Sequence, residues 1–208
     1  MKAYIYTGGK IYPEFISESP TADDLIIAAD SGYKNALLCG AKPNILIGDF
    51  DSLDKIPDDV DEVLELPREK DLTDTQTAVE IAIERGADEI VIISGTDGRL
   101  DHTLSTLAII EGLWNRNIRA IITSGQNRIR YIKNSGHILL RERAYKYFSV
   151  IACDDTVKGV SIDGAKYPLK NVKLTRTLQY AVSNEIDGNC ALITVKKGGI
   201  YIIESRDI

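Results

Sequence analysis

Apolar runs closed by Gly or Asp recur along the first half of the chain. Residues 2–7 (KAYIYT) stop at Gly8-Gly9, and residues 25–32 (LIIAADSG) end in Asp30, Ser31 and Gly32. Residues 44–52 (NILIGDFDS), 88–95 (DEIVIISG) and 118–123 (IRAIIT) read the same way, and residues 61–66 (DEVLEL) are a further strand candidate. Uninterrupted apolar runs of this length predict strands buried on both faces. Helices are predicted between them. Residues 33–40 stop at Gly40. In residues 72–86, Ala78, Ile81, Ala82 and Arg85 recur at helical spacing, and Gly86 suits the residue past a helix end. Residues 101–114 form the third helix. Strands alternating with helices predict an α/β fold: a mostly parallel, Rossmann-like sheet flanked by helices. In such sheets ligands bind at the C-terminal strand ends.

Past residue 130 the pattern changes. GHILLRE, YKYFSVIAC, TVKGVSI, CALITVKK and GIYIIES are short β-rich runs separated by Gly, Asn and Asp turns. They predict a small all-β sandwich or barrel following the α/β domain. The boundary is placed between Gln126 and Ser135, giving domains 1–130 and 131–208.

A 208-residue chain with net charge −6 is a poor general nucleic-acid binder, because neutralising phosphates needs clustered Lys and Arg. Cys39, Cys153 and Cys190 are far apart and lack CxxC spacing, so they read as free thiols of a cytoplasmic protein. The opening MKAYIYTGGK reads as a strand and not as a signal peptide. No apolar run approaches the roughly 20 residues of a membrane span.

The polar strand ends carry the candidate chemistry. Asp49 and Asp51 are two residues apart, so on an extended chain they face one side. Two converging carboxylates suit Mg²⁺, which takes oxygen ligands together with substrate phosphates. The alternative is a turn cap beside a solvated acid. KDLTD (70–74) adds Asp71 and Asp74 at a helix start. There Thr73 and Gln76 also fit a capping box, and helix starts favour acids electrostatically.

SGTDGRLDH (94–102) is a glycine-bracketed loop before a helix. Gly95 and Gly98 permit close backbone approach, the helix start offers N–H groups to phosphate, and Arg99 can grip phosphate oxygens in a fork. Asp101 is placed to cap this helix, and His102 reads as a first-turn polar residue. With two His in the chain, a His-rich metal site is disfavoured. No Walker loop, GxGxxG or GxSxG occurs. Acids, glycines and an Arg along one sheet edge fit Mg²⁺-assisted phosphoryl-type transfer.

The ordered set AADSG, GDFDS, KDLTD and GRLDH, with YPLKNVKL and VSNEI in the tail, resembles the thiamine pyrophosphokinase family over nearly the whole chain. The resemblance implies transfer of a pyrophosphoryl group from ATP to the hydroxyl of thiamine, giving AMP and thiamine diphosphate. It implies a homodimer, a nucleotide-binding catalytic domain over 1–130, and a thiamine-binding, dimerising β-sandwich over 131–208. Asp49, Asp51 and Asp74 match the Mg²⁺-binding acids. Asp30 and Gly32 match the nucleotide-side ADGG motif, in which Ser31 replaces a Gly. Asp71, Thr73, Gly98, Arg99 and Asp101 match residues around the phosphates and the reacting oxygen, with Asp71 and Asp101 both open as proton acceptor. Ser183 and Asn184 match the thiamine-side motif, and Tyr167 stands where some relatives have Trp, either to pack on the thiamine rings or as an ordinary aromatic of the sandwich.

Two other classes remain open on the residues. One is a phosphatase of the haloacid dehalogenase type, which also ends a strand in DxD; here Ser52 takes its T/V place, and the motif follows the third strand. The other is a non-catalytic nucleotide-binding or sensor module. A related pyrophosphokinase acting on a different alcohol would carry the same ATP-side motifs.

Overall fold

The apolar runs of the first half become six parallel strands: β1 (Lys2–Tyr6), β2 (Leu25–Ala29), β3 (Ile45–Gly48), β4 (Glu62–Glu65), β5 (Glu89–Ile93) and β6 (Arg119–Thr123). Their order is β4-β3-β2-β1-β5-β6, each pairing parallel with its neighbour. The computed structural model describes residues 1–50, 57, 60–67 and 71–208. It divides into two units, Met1–Gly125 and Gln126–Ile208.

Three helices cover the first unit's sheet: α1 (Gly32–Leu38), α2 (Asp74–Glu84) and α3 (Leu100–Asn115). Tyr4, Tyr6, Val91 and Ile93 pack on one face with Ala36 of α1. Strand alternation therefore sends Ala3 and Ile5, both fully buried, to the opposite face. α2 lies against β1, β2 and β3, and α3 against β6. Each fully buried Ile or Leu contributes about 1.5–3 kcal/mol. Coverage on both faces is why these strands read as continuous apolar runs. From β1 the chain winds outward to β4, then returns to place β5 on the other side of β1. The reversal opens a crevice between the C-terminal ends of β1 and β5, where ligands bind in open α/β sheets.

The second unit holds seven strands among the described residues: β7 (Asn127–Lys133), β8 (Gly136–Leu140), β9 (Tyr147–Ala152), β10 (Thr156–Asp163), β11 (Leu169–Thr175), β12 (Cys190–Thr194) and β13 (Gly199–Ser205). β13 pairs antiparallel with β7 and β9. β11, β10, β12 and β8 form a second antiparallel sheet. β7 and β11 carry no apolar run. In β7, Arg128 is only 4 % exposed, because Glu204 and Glu142 receive its guanidinium at 2.7 Å. β11 is a sheet-edge strand whose Lys170 and Lys173 mask it as a polar segment.

Candidate active site

A cleft of about 440 Å³ lies at the β1/β5 reversal. Its walls come from the strand-end loops: Gly8 and Gly9 after β1, Asp30 after β2, and Gly95, Gly98 and Arg99 after β5. Thr73 and Asp74 of α2 close it.

Thr73 caps α2 in a reciprocal box. The Gln76 N–H donates to Thr73 Oγ1 at 3.2 Å, and the Thr73 N–H donates to Gln76 Oε1 at 2.9 Å. The box fixes where α2 begins and so where Asp74, its first residue, stands. A cap of this kind contributes about 1 kcal/mol.

Asp30 holds a left-handed backbone (φ 46°) and donates its N–H to the Ile47 carbonyl at 2.8 Å. This conformation is costly for a non-glycine residue and turns Asp30 over the end of β3. A Cβ on Gly48 (φ 151°) would strike the Asp30 carboxylate, so only glycine fits there. Burial pushes the Asp30 pKa up to about 6, reinforced by a hydrogen bond and repulsion from Asp74 and by the charge of Asp49. The Phe50 N–H, donating to Asp30 Oδ1 at 3.4 Å, opposes the shift.

The strand expected to carry Asp49 ends one residue before it. β3 ends at Gly48, and Phe50 is left-handed (φ 56°) with its ring buried against Ala28 and Leu46. Asp49 therefore stands past the strand, and Asp51, its expected partner, lies outside the described residues. The expected partnership of Asp49 and Asp74 acquires Asp30 instead. Among the described residues no three His, Cys, Asp or Glu side chains form a complete metal cage. Two carboxyls close enough to share a proton, with a third acid nearby, are an oxygen-only donor set. That set fits a hard divalent cation such as Mg²⁺, which needs only one or two carboxylates when phosphates complete its shell.

At α3 the expected cap is displaced by two residues. Arg99 holds the N-cap position in extended conformation, and Asp101 sits in the first turn. Asp101 accepts from Arg99 Nη2 at 2.6 Å and Nε at 3.1 Å, and from the His102 N–H at 3.0 Å. The Arg99 guanidinium holds the Asp101 carboxyl below the usual carboxylate range. Asp101 therefore orients Arg99 at the mouth of the cleft. His102 lines the cleft from the same turn, as does Asp97 from the loop before it. Asp71 is exposed and outside the cleft lining, and buried Gly32 allows close packing, since a Cβ there would meet the Tyr6 carbonyl.

In the second unit, Tyr167 is 58 % exposed while Asn184 is 2 % exposed. The Asn184 amide is spent on backbone: Oδ1 accepts from the Tyr167 N–H at 3.0 Å and the Glu185 N–H at 2.9 Å, and Nδ2 donates to the Tyr167 carbonyl at 2.8 Å. Asn184 thus holds Tyr167 in place. Ser183 is exposed and left-handed (φ 54°), with its N–H donated to Ser149 Oγ at 3.0 Å.

Gly48, Asn35 and Ser94 were not singled out from the sequence. The available signals were a glycine directly before an acid, an Asn on the buried side of a helix, and a Ser following an apolar strand.

Among the described residues no helix is long and apolar enough to cross a membrane. Residues 18–122 match the family model described as thiamin pyrophosphokinase, catalytic domain, and residues 136–200 match thiamin pyrophosphokinase, vitamin B1 binding domain. The thiamine pyrophosphokinase of Bacillus subtilis (strain 168) is 28 % identical over 188 residues, covering 88 % of each chain. The thiamin pyrophosphokinase 1 of Caenorhabditis elegans is 28 % identical over 171 residues, covering 78 % of this chain and 70 % of the relative. A crystal structure of the Bacillus subtilis thiamine pyrophosphokinase superposes with a TM-score of 0.88 at 26 % identity, over 100 % of both chains. None of these findings supports the phosphatase or the non-catalytic binding module. With the catalytic model matched across half its length, a second family model matched beyond it, and its site at the sheet reversal, the chain belongs to the thiamin pyrophosphokinase family.

Proposed function

We propose that this chain transfers a pyrophosphoryl group from ATP to the hydroxyl of thiamine, giving AMP and thiamine diphosphate. The observation that carries the reading is the Asp30–Asp74 pair lining one cleft with Arg99 at the sheet reversal. Like-charged carboxyls there favour a cation, and Arg99, oriented by Asp101, keeps N–H donors that can take an anion. Mg·ATP supplies both.

Asp30 and Asp74 would hold Mg²⁺ together with the nucleotide's phosphates, with Asp49 and Asp51 added on sequence grounds. When bound, Mg²⁺ supplies neutralisation of phosphate charge. Arg99 and the N-terminus of α3 bind the phosphate oxygens. Gly95 (φ 81°) and Gly98 (φ 84°) let their loop come close to them. The thiamine hydroxyl attacks the β-phosphorus in line, and AMP leaves. Positioning and charge neutralisation do most of this chemistry, so a strong base is not required. Asp101, paired with Arg99, serves mainly to orient it; Asp71 or Asp101 takes up the hydroxyl proton.

The second unit supplies thiamine recognition through Tyr167 and Ser183, with Asn184 bracing Tyr167. It also supplies a dimer surface. Ile138, Leu140 and Leu192 stay exposed on paired strands, with Leu192 opposite Ile138. A cross-strand apolar patch of this kind favours association with a second copy. The chain is assigned to the cytoplasm as a homodimer.

The test is ³¹P NMR of the protein with ATP, Mg²⁺ and thiamine. Thiamine-dependent formation of AMP and a diphosphate ester, abolished by EDTA, is expected. Inorganic phosphate released without thiamine would overturn the reading.

A further inference from the structure

The carbonyls of the loop after β1 are all drawn into the protein. Asn35, on α1 and 7 % exposed, donates Nδ2 to the Thr7 carbonyl at 2.7 Å and to the Gly9 carbonyl at 2.9 Å. Ser94, fully buried after β5, donates Oγ to the intervening Gly8 carbonyl at 2.8 Å. Three successive carbonyls are thus held from two sides, by one helix and one strand end. The amides are left over. Among the described residues the N–H groups of Gly8 and Gly9 meet no acceptor, and both residues line the cleft. The clamp is close-fitting. A Cβ on Gly8 would strike Ser31 Oγ, and one on Gly9 (φ 108°) would come to 2.8 Å from Ser94 Oγ. Ser94 keeps a left-handed backbone (φ 82°), a conformation better suited to glycine.

We infer that Asn35 and Ser94 are positioning residues: together they clamp the Gly8-Gly9 loop so that its free amides face a phosphate of the nucleotide. Successive backbone N–H groups held in a concave turn bind anions, and fixing them beforehand removes the entropy of ordering them on binding. The inference rests on the nucleotide reading of this cleft but not on the identity of the acceptor.

Ser94→Gly is the discriminating variant. It deletes the hydroxyl yet relieves the left-handed backbone, so the fold should be kept or strengthened. Equilibrium binding of Mg·ATP and steady-state kinetics are measured on wild type, Ser94→Gly, Asn35→Ala and the double variant. The expected result is a Kd and KM for Mg·ATP raised about tenfold in Ser94→Gly, with the thiamine KM unchanged and the melting temperature not lowered. The double variant should lose less than the product of the single losses, because both act on one loop. Wild-type affinity for Mg·ATP in Ser94→Gly would overturn the clamp, as would equal losses toward ATP and thiamine. Tight Mg·ATP binding by wild type without turnover of thiamine would instead count against the acceptor, and the binding ratios would still decide the clamp.

Discussion

The carboxyl groups of Asp30 and Asp74 share a hydrogen bond, although one follows strand β2 and the other opens helix α2. One proton between two acids is what a like-charged pair adopts when no cation separates them. Here it records the electrostatic cost of assembling the site.

That cost is measurable as a pH dependence of stability. Asp30 has a pKa of about 6 in the folded chain against an ordinary 3.8. The folded state holds the proton more tightly than the unfolded state, so this group favours folding most below about pH 4. Its contribution is lost as pH rises from about 4 to about 6. In EDTA, Asp30→Asn should therefore gain in melting temperature relative to wild type across that window and hold the gain above it. Added Mg·ATP should stabilise wild type more than the variant. Parallel melting curves of the two proteins in EDTA from pH 4 to 7 would count against a shared proton.

Arg99 and Asp101 form an exposed fork-like pair, so their value lies in orientation and not in stability. Arg99→Ala should leave the melting temperature unchanged and lower kcat by about 10²–10³, the usual effect of removing one charge-stabilising donor. Arg99→Lys should recover only part of this, since an ammonium lacks the planar fork. Asp101→Asn should cost less, because it releases Arg99 without removing it. Steady-state kinetics with saturating Mg²⁺ check the ranking. A larger loss in Asp101→Asn than in Arg99→Ala would make Asp101 the chief proton acceptor.

The parallel sheet and the edge that carries the site were legible because its central strands, buried on both faces, leave apolar runs that end in Gly or Asp, whereas edge strand β4 is half exposed and leaves none. The Thr73–Gln76 box was legible for a local reason, since both partners lie within one turn. Non-local compensation was hidden. β7 could not be read because Arg128 is neutralised by Glu204, 76 residues away in sequence. The left-handed turn at Phe50, directly after Asp49, depends on an aromatic ring finding Ala28 and Leu46. The Asp30–Asp74 pairing depends on how a strand-end turn meets a helix start, which no spacing encodes.

The Arg128–Glu204 pair predicts a second, independent pH effect in the other unit. Burial pushes the Glu204 carboxyl up, but the Arg128 hydrogen bond and the charges of Arg130 and Arg128 outweigh it and hold it below its usual range. Glu204 is then ionised in the fold, and its stabilisation is present above about pH 4.5 and lost as pH falls below that. Glu204→Gln leaves Arg128 buried with less compensation, a cost of about 3–5 kcal/mol for a pair this enclosed. Neighbouring Glu142, which also accepts from Arg128, should bring the loss to the low end. Denaturant unfolding at pH 7 and pH 4 tests both points. The variant should be clearly weaker at pH 7, with the gap narrowing in acid. An equal gap at both pH values would show that shape, and not charge, is what Glu204 provides.

Asn184 and Tyr167 separate support from contact. Asn184 is buried, and its side chain brackets the Tyr167 backbone while its own backbone pairs with Phe148 at 2.8 Å in both directions. Asn184→Ala strands the Tyr167 N–H and carbonyl, which should cost about 1–3 kcal/mol and loosen the ring's placement. Tyr167→Ala removes an exposed ring and should cost little stability. If Tyr167 packs on thiamine, both variants raise the thiamine KM several-fold and neither changes the KM for ATP, but only Asn184→Ala lowers the melting temperature. Tyr167→Phe should bind thiamine nearly as wild type does, because the contact is made by the face of the ring. An unchanged thiamine KM in Tyr167→Ala would reduce Tyr167 to a surface residue and leave Asn184 as a brace for the chain alone.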